Sequence, residues 1–79
     1  MSISEHLVLN AGETLRFDSS RETGFMGETD INSYSIIDAA GSIVGRVEHT
    51  EHMNVKGFKV THSVIQTDLN GNTVHSKNW

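Results

Sequence analysis

Five histidines, His6, His49, His52, His62 and His75, are the residues of this chain best suited to site chemistry. Neutral imidazole is a common ligand of divalent transition metals, and a shifted imidazole pKa can turn a site on or off near neutral pH. The run His49-Thr50-Glu51-His52 has the three-residue spacing that places two ligands together on a helix. Its surroundings alternate like a strand, however, and residues three apart on a strand point to opposite faces. His49 and His62 make the better pair. Both fall on the inward parity of two strands expected to be neighbours, within reach of one ion, with Glu51 or His75 as a third ligand. Two imidazoles on a sheet face are also an ordinary way to fill a half-buried polar position, and both readings stand at this level.

Other chemistries find less support. There is no cysteine, hence no disulfide, no thiolate nucleophile and no thiolate cage for zinc or an iron–sulfur cluster. No serine sits in a Gly-x-Ser-x-Gly elbow. Asp38 and Asp68 are accounted for by turns, and Glu48 by the polar side of its strand. Gly24 and Gly27 feed no helix, so no phosphate cradle is expected. A chain of 79 residues leaves little volume for a pocket beside its own core. The expectation is a protein that is not an enzyme and carries no cofactor.

The side chains that would position these groups belong to one small domain spanning residues 1–79. A domain of this size buries only about 60% of its unfolded surface, and only 35% of its residues are hydrophobic. Small folds lacking disulfides or metal clusters often gain stability by self-association, so a homodimer is one expected state. The net charge of −4 is weighted toward the first half, which holds six acids against Arg16 and Arg21. No basic cluster is present to displace counterions from a phosphate backbone, and nucleic acid is not an expected partner. The first residues, MSISEHLVLNAGE, lack a basic segment ahead of an apolar one, unlike a secretory signal. No apolar run approaches membrane-spanning length. The expected setting is cytoplasmic, without membrane association.

Period-two alternation dominates. SYSIIDAAGSIVGRVEHT, residues 33–50, reads as a hairpin bent at Asp38-Ala39-Ala40-Gly41. Asp suits the first position of a type I turn, and Gly the positive φ of a following G1 bulge. Counting outward pairs Ile37 with Ser42, Ile36 with Ile43 and Tyr34 with Gly45. That puts Tyr34, Ile36, Ile43 and Val47 on one face, with the Tyr34 ring over the bare Gly45. Residues 3–9 alternate, and Asn10-Ala11-Gly12-Glu13 is a turn signal leading to Thr14-Leu15-Arg16-Phe17, which predicts another hairpin. Residues 57–67 form a further strand with Phe58, Val60, His62 and Val64 on one side. Pairing it back predicts Val47 opposite Val64 and His49 opposite His62. Asp68-Leu69-Asn70-Gly71 repeats the Asp-x-x-Gly turn, and residues 72–79 complete an all-β, mainly antiparallel fold of six strands, rolled, sandwiched or partly barrelled.

Residues 18–32 show neither period. Within them Phe25 and Met26 lie between Gly24 and Gly27, either as a lid on the core or as a contact patch, since aromatic and methionine side chains are favoured at interfaces. Trp79 is expected against the sheet or in an interface. The chain contains no proline to blunt its strand edges. The favoured expectation is a non-catalytic, inhibitor- or accessory-type protein that binds another protein through a sheet edge or the 24–27 loop. The alternative is a small ligand- or metal-binding domain using His49 and His62.

Overall fold

A computed structural model of the chain describes residues 3–24, 28–54 and 59–79. After a 3-10 turn at Ile3–His6 come β1 (Thr14–Thr23), β2 (Thr29–Ile37), β3 (Ile43–Asn54), β4 (Lys59–Asp68) and β5 (Thr73–Asn78). They form one antiparallel sheet in the order β1-β2-β3-β4-β5. The fold is all-β as expected, with five strands rather than six. It is an open meander and not a closed barrel, with β1 and β5 at opposite edges. The twelve residues of β3 span about 40 Å at ~3.3 Å each, which accounts for most of the 45 Å long axis.

Both Asp-x-x-Gly turns are built alike. Gly41 N–H donates to the Asp38 carbonyl at 3.0 Å and Asp38 N–H to the Ser42 carbonyl at 2.9 Å. The matching bonds around Asp68 are 3.1 Å from Gly71 and 2.9 Å to Asn72. Each aspartate carboxylate also accepts two backbone N–H groups, from Ala40 and Ser42 in one turn and from Asn70 and Asn72 in the other. Gly41 and Gly71 have φ of +85° and +86°, a conformation that a Cβ would strain.

Counting outward from the first turn misplaces the register, because two residues are extra. The G1 bulge sets Ile37 opposite Ile43, and a second irregularity leaves Val44 without a partner, so Ile36 faces Gly45 and Tyr34 faces Val47. Two single-residue slips restore parity. Tyr34, Ile36 and Val47 therefore share a face as predicted, while Ile43 turns to the other face with Ile37. Ile36, not Tyr34, lies against Gly45. The same double slip follows the second turn, where Val74 is the extra residue. Between β3 and β4 the register is two residues from the expected one: Val47 pairs with Gln66, His49 with Val64 and Glu51 with His62.

Residues 3–9 do not form the predicted first strand. The turn after them is present, with Glu13 N–H donating to the Asn10 carbonyl at 3.1 Å, but β1 pairs with β2 over nine positions. Instead the N-terminal segment lies over the β4–β5 side of one sheet face. Gln66 holds it there: its amide donates to the Val8 carbonyl at 2.7 Å and accepts from Val8 N–H at 3.0 Å. Ile36, Val47 and Val64 form the buried apolar centre of that face, each contributing about 1.5–3 kcal/mol by leaving water. Beside them are buried His49 and Gln66, while Ser35 is buried on the opposite face.

The segment read as aperiodic is mostly strand. β1 continues to Thr23 and β2 begins at Thr29. Almost all of β1 is exposed, so neither face imposes an apolar alternation, and a bulge at Asp18 breaks the phase. Phe25, Met26 and Phe58 lie outside the described residues.

Candidate functional site

The register that moved His49 away from a direct pairing with His62 left both on one face, diagonally adjacent. His49 and Glu51 are two apart on β3, and Glu51 is the cross-strand partner of His62. His49 Nε2 lies 3.2 Å from His62 Nδ1, and the two ring planes are 7° from parallel. One ring donates its N–H and the other accepts, with the tautomer deciding which. Glu51 Oε1 is 3.7 Å from the same His62 nitrogen. One ligand atom from each of His49, Glu51 and His62 falls within 4.8 Å of the others. His49 is buried, whereas the His62 and Glu51 side chains are partly open to solvent.

Trp79 closes one side of this group. Its N–H and C=O exchange bonds of 2.9 and 2.7 Å with His62, so the chain end continues the β5 ladder. Its indole stacks on His6 at 3.8 Å and lies parallel to His62 and His49 at 5.1 and 5.6 Å. Trp79 is thus packed against the sheet. Ile3, His6, Asn32, Tyr34, His49, Glu51, His62 and Trp79 line a cleft of about 370 Å3. Burial holds the pKa of His49 below the ordinary imidazole value; nearby Glu51 opposes this, and His62 and His6 reinforce it.

His75 is not brought to the ligand group: its Nε2 meets the His6 carbonyl at 3.0 Å. His52 points from the other face and bonds Thr29 Oγ1 at 2.8 Å, as strand geometry requires of a residue three beyond His49. His6 joins the stack although nothing in its own neighbourhood signals it. Its position depends on the Val8–Gln66 bonds, a contact between residues 58 apart.

A second polar group on the opposite face also escaped sequence reading. Ser35, with no exposed surface, donates to Asp18 and receives longer contacts of 3.5 Å from both Arg16 and Arg46. Arg16 Nε further pairs with Asp18 at 3.0 Å. The Ser35 hydrogen bond, then Arg16 and Arg46, hold the Asp18 carboxyl below its usual pKa despite partial desolvation. Asp18 reaches this group because it occupies the β1 bulge, and a bulge at that position has no signature in the sequence.

Fold and site together define a five-stranded β-meander strapped by its own N-terminus, with a histidine–tryptophan cluster beneath the strap. Comparison with protein-family models, curated proteins and solved structures finds no match to the chain. Among the described residues no helix is long and apolar enough to cross a membrane.

Proposed function

We propose that the chain is a non-catalytic interaction module that docks another protein on the open, β1–β2 side of its apolar face. The observation carrying this is Phe17. It pairs with Tyr34 on the face that holds Ile36 and Val47, yet it is 56% exposed, while the N-terminal segment is bonded to β4 and β5 through Gln66 and His75. Its ring meets Tyr34 edge-on at 5.6 Å, which presents a firm aromatic surface beside the free edge of β1. At the far end of the same face Met53 and Val60 pair with each other and are also exposed. Aromatic and methionine side chains are enriched where proteins meet. The bulge at Asp18 restricts backbone pairing along β1, so side-chain contact supplies more of the binding than strand addition does.

A second copy of the chain is the first partner to test. Light scattering of the parent and of Phe17→Ser across the micromolar range, combined with affinity capture from host lysate, supplies the comparison. The exposed position of Phe17 preserves the fold in the variant. The reading expects association or capture by the parent that Phe17→Ser reduces. A parent that neither self-associates nor retains a partner better than the variant would remove this role.

A further inference from the structure

The geometry points to a divalent transition-metal site formed by His49, Glu51 and His62, with Trp79 as its wall. The donors are two imidazole nitrogens and one carboxylate oxygen, without a thiolate. That set favours Zn2+, Co2+ or Ni2+ over Mg2+ and Ca2+, which prefer all-oxygen cages, and over Cu(I), which prefers sulfur. Two histidines, one carboxylate and an open fourth position also form a recognised zinc arrangement.

The spacing suits such an ion. Two nitrogens held about 2.05 Å from a tetrahedral centre lie about 3.3 Å apart. His49 Nε2 and His62 Nδ1 are 3.2 Å apart. In their present hydrogen bond the nitrogens face each other along the line joining them. To direct both lone pairs at a common ion, each ring must turn by roughly 35°. Glu51 Oε1 is 3.7 Å from His62 Nδ1, but the three ligand atoms spread over as much as 4.8 Å, so the 41% exposed Glu51 side chain must swing inward by more than about 1 Å to complete the set. The backbone already sets all three on one face, because His49 and Glu51 share one strand side and Glu51 and His62 are paired across the ladder. Strand positions fix such ligands better than loop positions do.

The surroundings add a second argument. The parallel planes of Trp79 and the two histidines shield one side of the group, while the cleft formed by Ile3, His6, Asn32 and Tyr34 leaves room for a water at the fourth position. An ion here would tie β3 to β4 next to the site where the chain end docks. It would therefore stabilise a domain with few buried apolar side chains.

The test is titration of untagged protein with Zn2+ by calorimetry and with Co2+ by visible absorption. Trp79 is the only tryptophan, so quenching of its emission by Co2+ or Ni2+ reports the location. The expected result is saturable one-to-one binding, intense tetrahedral Co2+ bands, quenched emission and no response to Mg2+. Glu51→Gln and His62→Gln should each weaken Zn2+ binding by about tenfold or more, judged against the effect of altering metal-site partners, whereas His52→Gln on the opposite face should leave it unchanged. Should His62→Gln fail to fold, Glu51→Gln at its half-buried position carries the test. Non-saturating binding, equal weakening by His52→Gln, or a Glu51→Gln variant as tight as the parent would each overturn the assignment.

Discussion

Replacing Gln66 with leucine tests whether the N-terminal segment belongs to the cooperative fold. Gln66 is 5% exposed, and its amide satisfies both backbone groups of Val8 at 3.0 and 2.7 Å. Leucine has similar bulk but can replace neither bond. At about 0.5–1.5 kcal/mol net per hydrogen bond, the loss is about 1–3 kcal/mol. Val8 is itself 58% exposed, so water reaches its freed N–H and C=O once the segment lifts, and the cost stays within that range. A chain of 79 residues is expected to have about 4–12 kcal/mol in total. A loss near 2 kcal/mol would lower Tm by about 8–16 °C. Urea unfolding followed through Trp79, whose indole stacks on His6 of the same segment, measures the loss, and hydrogen exchange at the Val8 amide locates it. Gln66→Glu provides the contrast. Its carboxylate accepts from Val8 N–H but opposes the Val8 carbonyl, so it should be less stable than the parent at neutral pH and recover as acid protonates it. An unchanged urea midpoint in Gln66→Leu would show that the segment contributes nothing to global stability. Unchanged Val8 exchange would show that the bonds themselves are not made.

Gly45→Ala should destabilise by about 1–3 kcal/mol, because its Cβ would stand 2.8 Å from the Thr67 carbonyl oxygen and 3.3 Å from Ile36 Cδ1. A parent-like melting curve would contradict that packing. The Asp68 carboxyl titrates below its usual range, first because Asn72 N–H donates to it and then through Asn70, with desolvation opposing. A depressed folded pKa stabilises fully above the unfolded value of about 3.9 and is lost as pH falls through the folded value. Asp68→Asn should therefore flatten the acid limb of stability below about pH 4, and an unaltered limb in acid titration would refute the linkage. Loss of Phe17 should reduce association while lowering the unfolding free energy by only about 0.5–1.5 kcal/mol, the worth of its edge-on contact with Tyr34, as read from urea unfolding.

Local chemistry alone determined much of this protein. Alternation specified strands, and Asp with Gly at fixed spacing specified two turns of one type. Parity then put Tyr34 with Val47 and His49 with His62 on common faces. For Tyr34 and Val47 that parity survived the wrong register because the bulges after the turn came in a pair, and two slips of one residue return each side chain to its original side. For His49 and His62 it survived because the β3–β4 ladder is offset from the expected one by two residues, an even number. The structure alone decided the remainder. The exposed edge strand β1 needs no apolar pattern, so residues 18–23 carried no signal. Residues 3–9 could satisfy their alternation either in a ladder or across a sheet face, and the side chain of Gln66, distant in the chain, settled the choice. His6 stacks on Trp79, and Asp18 reaches Ser35, for the same reason: each depends on where the backbone lies in space. Neighbouring residues dictate a turn, whereas a contact between distant residues depends on the competition among all the surfaces the folded sheet presents.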